Sequence, residues 1–233
     1  MNYPDSLLVQ VDFDLICPWC MIGKRHLEAA LARLGHERAD VAVTIEWRSC
    51  PLLPAIPPAG IPYRNFYLAR LGSAEALARR QAQVCAAARE AGIALELDRI
   101  ETLPNTVLAH RLIRFAAQSC GRAAASALID GLFEGYFLRG EDLGDPRVLH
   151  RAAIACDIPM AQASEAAAGM DLDWLPALRE ADALPPRPGL GVPNFVLNGV
   201  QGISGARPPQ ILLKEMHRAL ARTLPSDIAR AAS

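Results

Sequence analysis

Residues 7–34 read LLVQVDFDLICPWCMIGKRHLEAALARL, and the fold turns on this stretch. Leu7 to Leu15 alternate and carry β-branched and aromatic residues, which predicts a strand. Trp19, Ile22, Leu27, Ala30, Leu31 and Leu34 then recur at helical spacing, and Gly35 reads as the stop, so a helix is expected over 18–34. Pro18 suits the first helical position, where a missing N–H costs nothing and a fixed φ helps. Val41 to Trp47, VAVTIEW, alternates again and predicts a second strand.

The strand therefore runs into Cys17-Pro18-Trp19-Cys20 at a helix start. A thiol reacts as its thiolate, and a cysteine at a helix N-terminus gains from unpaired N–H groups and the positive end of the dipole. Cys20 lies one turn inside, a neighbour at i+3. The pair can close a small disulfide ring, with Cys17 the exposed attacker and Cys20 the resolving thiol. Two other readings stay open: half of a zinc site, which needs two further ligands, and a purely structural pair. His26 is nine residues past Cys17 and points away from it on a helix, so no metal site is expected. Asp14 is a candidate general base for Cys20, or a plain strand-end aspartate. Lys24 and Arg25 are expected on the solvated face.

Beyond the second strand, Pro51–Pro62 reads as an irregular connection. Helical or capping signals follow at 74–91, 105–117, 122–137, 146–156 and 171–183. After the Pro185–Pro188 cluster, VPNFVLNG and VQGIS predict a hairpin turning at Asn198-Gly199, and a last helix is expected over 208–220. Pro193 marks a strand start; an X–Pro bond is cis in only about 5–6% of folded cases, so trans is the default. The organisation expected is a discontinuous α/β domain, residues 1–60 and 185–233, interrupted by a helical insertion, 61–184.

Composition excludes several classes. The 233 residues are 52% hydrophobic and 21% charged, with a net charge of -1, so no basic field exists to hold a phosphate backbone. Nucleic acid is set aside as a partner. No apolar run approaches the ~20 residues of a membrane span, and Asp5, Gln10, Asp12 and Asp14 interrupt any signal-like stretch, so a cytoplasmic protein is expected. Cys50, Cys85, Cys120 and Cys156 stand singly and are expected to be buried small hydrophobes.

DFDLICPWCMIGKRHLE, LPNTVLAHRLIRFA, GYFLRGEDLGDPRVLHRAA and GVPNFVLNGVQGISGARPP, in this order, resemble the DsbA family of thioredoxin-fold proteins, and within it the FrnE-like cytoplasmic branch of dithiol–disulfide oxidoreductases and isomerases. The resemblance implies a thioredoxin-like fold with a helical insertion. It implies Cys17 as nucleophile, Cys20 as resolving cysteine, and Val192-Pro193 as a cis-proline loop facing the sulfurs, with Val192 holding an extended thiol-bearing peptide by strand addition. Related 2-hydroxychromene-2-carboxylate isomerases and kappa-class glutathione transferases share the PNT…AHRL stretch but carry a serine where this chain has Cys17. By that likeness Asn105 and His110 line the cleft, and Ser204 lies in the turn matching their glutathione site, here without its acidic residue. Asn105 as a helix cap and His110 as a packed core residue are the structural alternatives.

The expected activity is thiol–disulfide exchange with protein or peptide substrates. No bound cofactor is expected, glutathione is expected at most as a redox partner, and a homodimer fits the family. The competing functions are a glutathione-dependent isomerase or transferase and a peptide-binding chaperone-like module.

Overall fold

The computed structural model describes residues 5–159 and 191–222. Along the chain these form β1 (Ser6–Phe13), α1 (Pro18–Glu37), β2 (Ala42–Ser49), β3 (Ile61–Pro62), α2 (Tyr63–Leu71), α3 (Ala74–Glu90), β4 (Thr102–Leu103), α4 (Val107–Ser119), α5 (Arg122–Arg139), α6 (Pro146–Ile154), β5 (Asn194–Leu197), β6 (Gln201–Ser204) and α7 (Pro209–Arg222). The chain divides into two compact units, one of residues 1–13, 19–48 and 188–233, the other of residues 14–18 and 49–187.

The first unit is built on a four-stranded sheet of order β2-β1-β5-β6. β5 pairs antiparallel with β1, Val9 opposite Leu197 and Asp12 opposite Asn194, and β6 antiparallel with β5. Side-chain bonds from Gln10 to Glu46 and from Arg48 to Asp12 keep a constant offset along β1 and β2. That offset makes the two strands parallel, joined by the α1 crossover. The β5–β6 turn carries positive φ at both Asn198 (48°) and Gly199 (72°), the backbone a tight primed hairpin turn requires. Asn198 also ties the hairpin to β1, its side-chain oxygen accepting from the Leu8 N–H at 2.8 Å. Leu7, Val9 and Val11 of β1, Leu27, Ala30 and Leu34 of α1, Phe195 and Leu197 of β5, and Leu212 and Met216 of α7 close the core. Gly35 does not stop α1, which continues to Glu37: a glycine costs a helix about 1 kcal/mol, less than the buried Leu34 face contributes.

The second unit is helical, with a core that includes Leu112, Leu128, Ile129, Phe133, Tyr136, Phe137 and Leu149. Two features depart from the expected irregular run over 51–62 and the gap after it. Ile61–Pro62 pairs with Thr102–Leu103, and α2 follows directly. A two-residue strand is too short to show a period, and Pro57, Pro58 and Pro62 mask the start of the helix.

The units also divide differently from the boundary drawn at residue 60, since residues 14–18 and 49–60 fall with the helical unit. Asp14 bonds to Leu52, Thr106 and His110, and Asn105 bonds to the carbonyls of Pro54 and Ile56, which ties both segments there. The helix expected over 171–183, the Pro185–Pro188 cluster and the boundary at 184/185 lie outside the described residues. Of the four single cysteines, Cys50 is buried, Cys85 and Cys156 are half-buried, and Cys120 is exposed, so only one matches the expected packing role.

Candidate active site

Cys17 immediately precedes α1 and Cys20 lies in its first turn, as the Pro18 signal requires. Both are thiols, and both are buried, Cys17 with 7% of its surface exposed and Cys20 with 3%. The expected exposed attacker is therefore only marginally the more open of the two. Pro18 is buried and Trp19 half-buried.

Around Cys20, in the sheet unit, the α1 surface is shaped by a glycine. A Cβ on Gly23 would come within 2.9 Å of Pro193 Cγ and 3.2 Å of Phe195 Cζ, so only a bare backbone lets the proline ring reach the helix there. Gly23 and Cys20 are i and i+3, on one face. The Val192–Pro193 peptide is cis, and the Pro193 carbonyl accepts from the Gly205 N–H at 2.8 Å. Ser204 closes β6 opposite Asn194; it is exposed, and its carbonyl accepts from Arg207 Nε at 3.0 Å. The Arg207 carbonyl in turn lies 3.0 Å from His26 Nδ1, so His26 is engaged at that turn. Pro193, Val192 and Ser204 thus share one loop region of the sheet unit.

Lys24 overturns the expectation of a solvated face. It is 4% exposed, paired with Glu28 Oε1 at 2.5 Å and held 5.5 Å from the centroid of the Trp47 ring, whereas its neighbour Arg25 is exposed. Below the sheet's other face, Asp12 is wholly buried and takes Arg48 Nη2 at 2.8 Å and Asn194 Nδ2 at 2.9 Å.

In the helical unit, Asp14 and His110 are brought together and both are completely buried. Asp14 Oδ1 accepts from Thr106 Oγ1 at 2.9 Å and lies 3.1 Å from His110 Nε2, while Oδ2 accepts from the Leu52 N–H at 2.7 Å. The Asp14 carbonyl accepts from the Cys17 N–H at 3.2 Å, so the same residue closes the turn that delivers Cys17. His110 therefore packs in the core and faces the carboxylate. Asn105 spends its amide on Pro54 and Ile56 carbonyls (3.2 and 2.6 Å) and its oxygen on the Val107 N–H at 2.9 Å, an i to i+2 turn one residue ahead of the Thr106 N-cap, which itself makes no side-chain cap bond.

Sequence reasoning missed the tyrosines of this unit. Tyr63, Tyr67 and Tyr136 are buried, and Arg80 stacks on Tyr67 at 4.5 Å. Burial pushes the Tyr67 hydroxyl up, Arg80 opposes the shift and the Cys17 sulfur adds to it. Burial does the same to Tyr63 and Tyr136, reinforced by the neighbouring tyrosines. All three remain O–H donors at neutral pH, and Tyr67 is close enough to feel the charge on Cys17. Their only sequence signal is the Tyr63–Tyr67 spacing of one helical turn.

Among the described residues no group of three or more His, Cys, Asp or Glu side chains is placed to hold a metal, and no helix is long and apolar enough to cross a membrane. The sequence pattern of the DSBA-like thioredoxin domain family matches residues 9–217. No curated protein sequence matches the chain. Among solved structures, a protein described as a "probable DsbA oxidoreductase" from Streptomyces coelicolor is 26% identical, with a TM-score of 0.75 over 94% of this chain and 92% of that one. The cytosolic disulfide reductase DsbM of Pseudomonas aeruginosa, solved with GSH, is similar at 15% identity and a TM-score of 0.54, covering 92% and 96%. A 2-hydroxychromene-2-carboxylate isomerase is similar at 15% identity and a TM-score of 0.51, covering 91% and 95%. These two likenesses are of fold.

Proposed function

The chain belongs to the DSBA-like thioredoxin domain family, and we propose on that premise that it is a thiol–disulfide oxidoreductase acting through Cys17 and Cys20. One observation carries the reading: two thiols bracket the first turn of α1, one just ahead of the helix and one inside it. The related isomerases, by the resemblance, carry a serine where Cys17 stands, so the dithiol favours redox exchange.

Cys17 sits at the positive end of the α1 dipole, a place that favours a sulfur carrying negative charge. As a thiolate it attacks one sulfur of a substrate disulfide. The Cys17–substrate S–S bond forms, the substrate S–S bond breaks, and the leaving sulfur departs with the electron pair and takes a proton from water. Cys20, one turn along, then loses its proton and attacks the Cys17 sulfur, releasing the second substrate thiolate and leaving a Cys17–Cys20 disulfide. The substrate is reduced by two electrons and the protein oxidised by two. A small thiol such as glutathione restores the dithiol by the same exchange, and the reverse run oxidises a client dithiol. Pro193, whose ring reaches α1 at Gly23, and Val192 before it form the wall along which an extended peptide would lie.

Trapping tests the scheme. With Cys20→Ala, a disulfide-bearing peptide is expected to accumulate as a mixed disulfide on Cys17, found by mass spectrometry. No adduct with peptide disulfides or oxidised glutathione would refute the mechanism. Turnover of a hydroxychromene-type substrate by Cys17→Ser with glutathione would favour the isomerase instead.

A further inference from the structure

Residues 63–90, which hold α2 and α3, carry five arginines against two glutamates in a chain whose net charge is -1. Three of the five gather on one tyrosine. Arg64 and Arg70 stand three residues before and three residues after Tyr67, its neighbours on the surface of α2, and Arg80 comes from α3 to lie 4.5 Å from the centroid of the Tyr67 ring. Arg64 and Arg70 are exposed and Arg80 is half-buried. Among the described residues none of the three is paired with a carboxylate. Like charges gathered in this way repel one another, so the cluster favours an anion from outside. Stacking occupies a face of the Arg80 guanidinium and leaves its edge, which carries N–H donors in a fork suited to a carboxylate.

Tyr67 also relates this charge to the chemistry. Arg70, Arg80 and the Cys17 sulfur all act electrostatically on its hydroxyl, and residues 14–18 fall in the same compact unit as α2 and α3. An anion drawn to the cluster is therefore brought toward Cys17. One small anion would satisfy one guanidinium, whereas three guanidinia carried on two helices match a chain bearing several carboxylates, an acidic peptide.

We propose that α2 and α3 form the recognition surface for acidic client peptides: Arg64, Arg70 and Arg80 receive carboxylates that flank the client's disulfide and so deliver its sulfur to Cys17. This rests on the exchange chemistry proposed above and names the substrate class of that site. The arginines speed the encounter and take no proton or electron, and the bonds made and broken are those already given.

Two disulfide peptides that differ only in carrying Glu or Gln beside the cysteines test this. Their single-turnover rates with the full chain are measured by quenched flow, and each is divided by the rate of the same peptide with dithiothreitol, which removes the intrinsic reactivity of the disulfide. The Glu peptide is expected to react at least about fivefold faster than the Gln peptide at low salt. That ratio should fall toward one near 1 M salt, where the screening length is about 3 Å. Arg80→Gln should lower the ratio, and so should the double variant Arg64→Gln/Arg70→Gln, whose exposed positions put folding at little risk. A ratio at or below one in the unaltered protein, or one indifferent to salt, would overturn the proposal. So would a ratio that the double variant leaves unchanged, and this arm decides the matter if Arg80→Gln does not fold. If dithiothreitol reduces both peptides and the unaltered protein reduces neither, the exchange mechanism fails and the proposal falls with it.

Discussion

Asp12 and Asp14 stand two residues apart, both wholly buried, and meet opposite environments. Asp12 lies in the sheet unit against Arg48, a permanent cation, with Asn194 completing the set across the strand. Asp14 lies in the helical unit, where a hydroxyl, an imidazole and a backbone N–H occupy its two oxygens. The first is an ion pair that locks three strands together. The second is a set of donors that fixes the turn into Cys17. Two buried carboxylates two residues apart thus hold different parts of the molecule in place.

The comparison breaks most visibly at Arg48. Arg48→Met removes the cation and strands Asp12 in the sheet, and a loss of about 3–5 kcal/mol is expected in urea denaturation. Asp12→Asn in the same background should recover part of it; no recovery would mean the charge is not the cause. On the other side, His110→Leu leaves Asp14 with the Thr106 hydroxyl and the Leu52 N–H, so a smaller loss of about 1–3 kcal/mol is expected. The alkylation rate of Cys17 should change with it, since the Asp14 carbonyl holds the Cys17 N–H. An effect of His110→Leu larger than that of Arg48→Met would reverse the assignment of roles. Gly23→Ala, which sets a methyl 2.9 Å from the Pro193 ring, is expected to cost about 1–3 kcal/mol by overpacking.

A third carboxylate calibrates the pair. Asp142 is partly buried with one N–H partner, Gly144, and burial pushes it above the usual carboxylate range. A raised carboxylate binds its proton more tightly in the folded state, so folding stability contributed there falls as pH rises through the window above its ordinary value. Asp142→Asn should remove that slope and stabilise the protein at neutral pH by less than about 1 kcal/mol. Unchanged pH dependence of the urea midpoint would show that the burial is not felt.

Why some of this was legible in the sequence follows from range. The strand, the Pro18 helix start, the Asn198-Gly199 turn and most helices announce themselves within a few residues, and the structure carries them with ends shifted by a few positions. The Asp14–His110 contact spans 96 residues, and nothing local in either residue names the other. Lys24 reads as a surface residue because its stem and charge are costly to bury, and the Trp47 ring and Glu28 that receive it lie beyond what its own position announces. Asn105 was legible both as cap and as cleft residue; its bonds to Pro54, Ile56 and Val107 take up its amide and its oxygen. Gly35 misled because a stop signal yields to a buried face.

The most direct test of the central claim is a titration of the full chain in glutathione redox buffers, with Cys17 and Cys20 alkylation read by mass spectrometry. The account predicts one reversible two-electron couple confined to those two residues, with Cys50, Cys85, Cys120 and Cys156 outside it. Thiols at 17 and 20 that never pair at any buffer poise would contradict it.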